Sequence, residues 1–394
     1  MIHMGFEGSN LKYSGLLESP LLKGNVSLSV SEDGLLIIQP FNQIFLSHVN
    51  ISSFVLQNYS IRIRTDNGEY VITRLGSLCD AFYKELYDSY NKKVLKAFFT
   101  EGTVLLMAEG GYSYSENGTL FEGQAKIHVY ESCICILPPN DCGRRVPFCF
   151  IKDIKKESFK LTVTLVSDES FSFIRLGNNT DPFESCISDQ IRKMRENAMA
   201  AVRLIDGSLN QMQLSAIAAL MPEGAAASIG ALQQVAPSYL LSLERQILDS
   251  RANETYSFLK EIGSPSDISI GMKSQLAGEQ TDNILWFVAP SINKKLAFVE
   301  FALGEETAAA TFVYKVNCNW DVFWRNLNRA MEAINFKREI IRLSNDELNL
   351  ADNDIYAMAV KRTSSLRFLR SCFVGRVIHY SIDSWKNEVL KYLN

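Results

Sequence analysis

The sequence predicts an α+β protein in which one module of about 100 residues, an ordinary domain size, occurs twice in tandem. The first observation is a repeat, because Gly24–Pro40 returns as Gly123–Pro139. The second is a period-two alternation of apolar and polar residues, as in Val26–Val30, which is typical of half-buried strands. The third is a change to helical spacing at the end of each copy. Each module is therefore expected to hold several antiparallel strands followed by one helix.

The repeat extends in both directions from these two segments. Its further matches, first copy before second, are Glu7-Gly8 with Glu109-Gly110, Tyr13-Ser14 with Tyr114-Ser115, Arg74-Leu75-Gly76 with Arg175-Leu176-Gly177, and Asp80 and Phe82 with Asp181 and Phe183. We therefore assign residues 1–98 to the first module and residues 99–198 to the second.

Turn signals and alternation divide each module into six or seven short strands. In the first copy the expected strands are Val26–Val30, Leu35–Ile38, Phe45–Val49, Ile51–Leu56, the segment around Ile61 and Ile63, and Tyr70–Thr73. Ser31–Gly34 and Asp66–Gly68 are tight-turn sequences. The closing helices are expected to start near Ser77 and at Asp181, where a proline follows at the first helical position.

This order of elements resembles the pleckstrin-homology-like superfold, in which a curled antiparallel sheet or barrel is capped by a C-terminal helix. The resemblance covers roughly residues 4–198 and rests on element order and helix placement. Membrane-binding members of that family tend to carry a basic cluster in the loop after the first strand, whereas the turn Ser31–Gly34 is acidic here. The resemblance therefore implies two tandem recognition modules that favour protein over lipid.

The rest of the chain divides into two parts. Residues 199–262 are expected to be a helical linker region with helices over 199–204, 210–220 and 238–248, and the small-residue segment Pro222–Gly230 is either a mobile hinge or a tightly packed helix pair. Residues 263–394 are expected to form an α+β domain that ends in helices.

In this C-terminal domain, strands are expected over 284–289, 296–303 and 307–316, followed by a helix that Asn319 caps. Residues 263–343 are either a diverged third copy of the module or an unrelated α+β unit. The apolar residues Leu366, Leu369, Phe373, Val377 and Tyr380 then predict one helix from about Ser364, and a last helix covers 384–393.

Composition restricts the function. The chain of 394 residues has a net charge of −4, which argues against a broad nucleic-acid or membrane footprint. Its first residues lack a basic segment followed by an apolar run, so we expect no secretory signal there, and no apolar run of about 18 residues predicts a membrane span. Its eight cysteines follow no disulfide-framework spacing, so we expect reduced thiols and a cytoplasmic protein.

Three groups of residues are candidate sites. Cys133, Cys135, Cys142 and Cys149 form the densest set of soft metal ligands, although their spacing is not that of a zinc knuckle. The most basic run consists of Lys361, Arg362, Arg367, Arg370 and Arg376, which either meets an anionic partner or forms the solvated rim of a packed helix. Arg74 and Arg175, equivalent in the two copies, either bind a ligand or pair with Asp80 and Asp181 at a helix start.

The sequence favours a non-enzymatic binding or scaffolding protein with a protein or peptide partner, because a duplicated module without catalytic motifs is typical of recognition. The alternatives are a peripheral membrane adaptor that uses the basic run, and an enzyme of unknown type in the C-terminal half around Trp286, Trp320 and Trp324. We assign no catalytic, cofactor-binding or metal-binding residue, and the oligomeric state is left open.

Overall fold

The structure, a computed structural model, describes residues 13–116, 118–277, 280–303 and 310–393. These residues form an α+β protein with twelve α-helices and three antiparallel sheets. This confirms the expected α+β class. No helix in the described ranges is both long enough and apolar enough to cross a membrane.

The first module is a seven-stranded sheet closed by one helix. Its elements are β1 (Tyr13–Glu18), β2 (Lys23–Val30), β3 (Gly34–Gln39), β4 (Asn42–Ser47), β5 (Ile51–Gln57), β6 (Ser60–Thr65), β7 (Gly68–Thr73) and α1 (Cys79–Ala97). The strands lie in the order β4-β3-β2-β1-β7-β6-β5. Phe82, Leu86 and Tyr90 of α1 are fully buried, so the apolar face of the helix fills the core of the module, as its helical spacing predicts.

The second module has the same strand order. Its elements are β8 (Leu106–Glu116), β9 (Thr119–Val129), β10 (Cys133–Leu137), β11 (Arg144–Pro147), β12 (Ile151–Glu157), β13 (Lys160–Leu165), β14 (Ser170–Ile174) and α2 (Thr180–Ile205). The order β11-β10-β9-β8-β14-β13-β12 repeats that of the first sheet. The duplication extends to single residues, since Arg74 and Arg175 both have left-handed backbones, with φ of 59° and 58°.

The sequence match upstream of Gly24 and Gly123 is wrong, because it equates residues that occupy different positions in the two sheets. Leu17 of β1 pairs with Gly24, and Tyr112 of β8 pairs with Gly123, the residue equivalent to Gly24. Tyr13 therefore corresponds to Ala108 and not to Tyr114. The hairpin of β8 and β9 is longer than that of β1 and β2, so the matched dipeptides lie at different depths of the two sheets. The match at Glu7-Gly8 lies outside the described residues.

The helix α2 continues to Ile205, so the separate helix expected over 199–204 is instead the last part of α2. The segment Met199 to Leu204 contains mostly good helix formers and no glycine or proline, so the helix continues past the end of the second module. The boundary at residue 198 therefore falls inside a helix.

The C-terminal region, which follows α2, contains one sheet and ten helices among its described residues. Its elements are α3 (Gln211–Leu220), β15 (Ala227–Ser228), α4 (Ile229–Val235), α5 (Pro237–Leu248), α6 (Asn253–Ile262), β16 (Ser269–Ala277), β17 (Gln280–Pro290), β18 (Leu296–Leu303), β19 (Ala310–Lys315), α7 (Trp320–Ala333), α8 (Glu339–Arg342), α9 (Asn345–Leu348), α10 (Asp354–Arg362), α11 (Ser364–Cys372), β20 (Phe373–Ile378) and α12 (Ile382–Leu393).

The third sheet is a simple meander in which β15 to β20 pair in chain order. This order differs from that of the two modules, so the unit is not a third copy. The small-residue segment is packed and not a mobile hinge, because Ala226 and Ala227 are buried and β15 pairs with β16. The single helix expected from Ser364 to Tyr380 is wrong, since the chain leaves the helix at Cys372 and forms β20 against β19.

The first module and the C-terminal region share one hydrophobic core. It joins side chains of α1, such as Phe82 and Val94, to those of α7 and α11, such as Leu327 and Leu369. Cys133 and Cys135 of β10 extend the same core into the second module. The three parts of the chain therefore meet along a continuous apolar interior.

Candidate functional site

The loop between β10 and β11 is inserted against the edge of the first sheet. In this loop the carbonyl of Pro139 accepts the N–H of Phe54 at 2.9 Å, and the N–H of Asp141 donates to Ser52 O at 3.0 Å. Tyr90 of α1 donates its hydroxyl to Asn140 O at 2.9 Å. Since β5 is an edge strand with unpaired backbone groups, the loop of the second module satisfies part of that edge in the manner of an added strand.

The equivalent end of the first module carries no such partner in the described part of the chain. There the connection between β3 and β4 holds Phe41, which is 97% exposed, and the connection between β1 and β2 holds Leu21, which is 68% exposed. Next to them runs β4, whose outer edge pairs with no strand of the described ranges. We call Leu21, Phe41 and the two connections that hold them the free hairpin end.

A shallow trough of about 590 Å³ adjoins the free hairpin end. Gln39, Pro40 and Arg74 line it. Two exposed apolar tips beside a mixed polar and apolar trough and a strand edge that no described strand covers form a surface that can bind an extended peptide.

Arg74 and Arg175 do not form the ion pairs that the sequence suggested. Both side chains are exposed, and neither forms an ion pair with a described residue. Asp181 instead accepts from Lys156 Nζ at 2.7 Å. Arg74 and Arg175 share a left-handed backbone conformation just before the closing helix, which is rare for a residue with a side chain.

The residues of the basic run occupy separate environments. Arg362 is 2% exposed and donates to the hydroxyl of Tyr90 at 2.6 Å. Arg367 donates to the carbonyls of Val360 and Lys361 at the end of α10, and it pairs with Glu116 of β8.

The other three cations of the basic run are Arg370, Lys361 and Arg376. Arg370 donates to Leu343 O at 2.7 Å, and burial lowers its pKa. Lys361 donates to Val49 O at 3.2 Å, whereas Arg376 lies exposed on β20. Four of the five cations are thus engaged with the protein itself, and the run does not form one contiguous surface.

A buried ion cluster joins the second module to α7. Glu332 accepts from Arg145 at 2.5 Å and from Arg329 at 3.0 Å, and the three side chains are 8%, 10% and 6% exposed. Burial is the largest influence on the pKa of Glu332 and raises it, but the two guanidinium charges together outweigh burial and hold that pKa below its usual value. Glu332 is therefore a carboxylate that the two arginines neutralise.

Cys133 and Cys135 point to the same side of β10, as their spacing predicts. Their sulfur atoms lie 3.8 Å apart in the core. The hydrogen bond from Cys135 lowers the pKa of the Cys133 thiol, while burial raises that of Cys135. Across the described ranges, no three side chains of the types that ligate metal form a cluster, with or without Cys142 and Cys149.

Of the three tryptophans named for the enzyme hypothesis, Trp320 and Trp324 line one cleft beside α7, whereas Trp286 lies apart from them. Trp286 is fully buried and donates to Gly224 O at 2.8 Å. Trp320 lines an open cleft of about 720 Å³, together with Lys294 and Lys315. Nearby, burial raises the pKa of Asp267, but hydrogen bonds from Ser264 and Lys294 leave it lowered overall. This direction keeps Asp267 ionised and is opposite to that of a general acid.

Sequence reasoning missed a buried polar network on the third sheet. Glu300 of β18 is fully buried, accepts from Thr311 at 2.5 Å and lies 2.9 Å from Nε2 of His379. Trp385 of α12 donates to the Thr311 hydroxyl at 2.8 Å, so the network fastens α12 to the sheet. A single acid within the apolar strand Leu296–Leu303 was the available signal.

Comparison of the chain with protein-family models and with curated proteins finds no match.

Proposed function

We propose that this chain is a non-enzymatic binding or scaffolding protein, and that its two modules are pleckstrin-homology-like units with a protein or peptide partner. The shared strand order and the single closing helix support this, because they are what the resemblance implies. The free thiols of all eight cysteines support a reducing compartment, and we propose the cytoplasm.

The observation that carries the proposal is the unequal use of two equivalent ends. In the second module, the loop between β10 and β11 binds a sheet edge through backbone hydrogen bonds. In the first module, the equivalent connection at Pro40 and Phe41 is exposed beside β4, whose outer edge pairs with no strand of the described residues. One edge of the first sheet, β5, thus accepts a segment of the second module, and its other edge, β4, is proposed to accept a segment of a partner.

The partner proposed for the free hairpin end is an extended peptide segment of another protein. Its backbone would add to β4, and its apolar side chains would cover Leu21 and Phe41. Large exposed apolar residues that adjoin a strand edge are an aggregation hazard unless a partner covers them, which is the physical reason to expect one.

Site-specific photo-crosslinking in native lysate tests this proposal. A photoreactive residue at Phe41 is expected to yield one reproducible covalent adduct with a protein. The matched control places the same residue at Met212, which is 82% exposed on α3 and far along the chain from either module sheet. Equal adduct patterns at both positions, or none at Phe41, would contradict the proposal.

Flotation with neutral and anionic liposomes separates the membrane hypothesis from this one. Because four of the five cations in the basic run bind groups of the protein itself, we expect no salt-sensitive binding to anionic liposomes. Salt-sensitive binding that the charge reversal Arg376→Glu abolishes would instead favour a membrane adaptor.

A further inference from the structure

A small, partly enclosed cavity lies where the first module, the second module and the C-terminal region meet. Its lining combines Phe98 after α1, Arg144 and Arg145 of β11, Glu169 after β13, Arg329 of α7 and Arg362 of α10. The cavity also touches Thr363 and Ser364, where α11 begins without a side-chain cap. Its volume of about 10 Å³ is that of a site for one particle the size of a water molecule.

Arg362 is the unusual member of this lining. Its side chain donates to the Tyr90 hydroxyl and, at 3.4 Å, to Met358 O, but no carboxylate of the described residues pairs with it. Its Nε atom is buried and has no hydrogen-bond partner. A guanidinium that is 2% exposed and unpaired is costly, because a buried charge needs a counter-charge.

The other arginines do not leave a spare carboxylate for Arg362. Glu332 is shared by Arg145 and Arg329, and Glu116 is shared by Arg144 and Arg367. Glu169 lies 3.5 Å from Arg329 Nε. Each of these three carboxylates is thus already paired with another arginine, and Arg362 has no ion-pair partner among them.

The polar groups of the cavity are mainly donors. A guanidinium has five N–H donors and no acceptor, and the first turn of α11, which no side chain caps, adds the positive end of a helix dipole. The Nε atoms of Arg145 and Arg362 are buried without a hydrogen-bond partner. A water molecule in this site would also need acceptors for its own two hydrogens, whereas an anion only accepts hydrogen bonds.

We propose that the cavity binds a single compact inorganic anion, which among abundant cellular anions is chloride. The anion would lie between the guanidinium groups and the start of α11, and it would supply the counter-charge that Arg362 lacks. Because the lining comes from all three parts of the chain, the bound anion would stabilise their mutual packing. This inference does not depend on the proposed partner of the free hairpin end.

Thermal unfolding of the full chain in two sodium salts tests the proposal. At a constant ionic strength of about 0.15 M, chloride is replaced stepwise by gluconate, which is too large for the cavity. We expect the Tm of the wild type to rise by about 2 °C or more with chloride and then to saturate, as ligand linkage requires. An equal Tm in the two salts would overturn the proposal.

Two variants locate the effect. In Arg362→Met, which keeps the length of the side chain but removes its charge, the chloride dependence is expected to disappear. Arg325→Met is the matched control, since Arg325 pairs with Asp168 outside the cavity and is 37% exposed; it is expected to keep the dependence. Chloride dependence that persists in Arg362→Met would overturn the assignment of the site.

A direct measurement applies if Arg362→Met fails to fold. Crystals of the wild type grown or soaked in bromide are expected to give an anomalous peak between Arg362 and the start of α11. Absence of a peak in the cavity while other bromide sites are occupied would overturn the proposal.

Discussion

The substitution Glu332→Gln tests whether the buried ion cluster stabilises the contact between the second module and α7. Glutamine has the shape of glutamate and keeps one oxygen acceptor, but it has no charge. Arg145 and Arg329, whose side chains are 10% and 6% exposed, would then be buried without their shared carboxylate. Removal of one partner from a buried ion pair typically destabilises a protein by 3–5 kcal/mol. Because Glu332 serves two guanidinium groups, we expect a loss of about 4 kcal/mol in the free energy of unfolding.

The assay is urea unfolding of the full chain, followed by tryptophan fluorescence. Trp320 and Trp324 lie on α7, the helix that carries Glu332, so they report on this region. Glu339→Gln is the matched control, because Glu339 pairs with Arg342 on the surface, where the two side chains are 48% and 35% exposed. This control is expected to change the free energy of unfolding by less than about 0.5 kcal/mol.

A double-mutant cycle tests the mechanism. If the destabilisation arises from unpaired charge, Arg145→Met combined with Glu332→Gln should be less destabilising than the sum of the single changes, with a coupling of at least about 1 kcal/mol. Additive effects, or a loss below about 1 kcal/mol for Glu332→Gln alone, would refute the reasoning.

Two further predictions follow from single residues. Burial lowers the pKa of His48 from 6.5 to about 4. Between these two pH values the unfolded chain binds a proton that the folded chain does not, so up to about 3 kcal/mol of stability is lost as the pH falls through this range. The urea midpoint of His48→Gln is therefore expected to vary less with pH than that of the wild type over the same range. Equal slopes would contradict this. In Gly271→Ala, the new Cβ would meet Trp286 Nε1 and would lie 2.5 Å from Gly224 O, the acceptor of that indole; we expect a loss of about 3 kcal/mol in urea unfolding. For the control Gly230→Ala the nearest atom is 3.5 Å away, so an equal loss there would exclude the steric cause.

The candidate surfaces were only partly accessible from the sequence. The basic run is visible as composition, but its spacing cannot show that Tyr90, which lies 272 residues earlier, accepts from Arg362. In the sequence, Phe41 of the turn between β3 and β4 cannot be distinguished from any other apolar residue. Its exposure becomes informative only because the equivalent loop of the second module is covered, and this follows from packing between segments distant in the chain.

The sequence by itself determined the elements whose signals are local. Alternation with period two, turns such as Ser31–Gly34, and the helical spacing that follows Arg74 and Arg175 predicted the strands after β1 and the closing helix of each module, because backbone geometry and turn chemistry depend on neighbouring residues. Asn319 likewise caps α7, as predicted.

Only the tertiary structure decided what depends on pairing across long distances. Leu366, Leu369, Phe373 and Val377 fit a single helix by spacing, yet the last two lie in β20, because backbone hydrogen bonds with β19 are available there and Gly375, with φ of 158°, is an unfavourable helix residue. The register of β1 and β8 and the burial of Arg362 were decided in the same way. In each case the contact that prevailed joins residues far apart in the chain, and no local pattern encodes it.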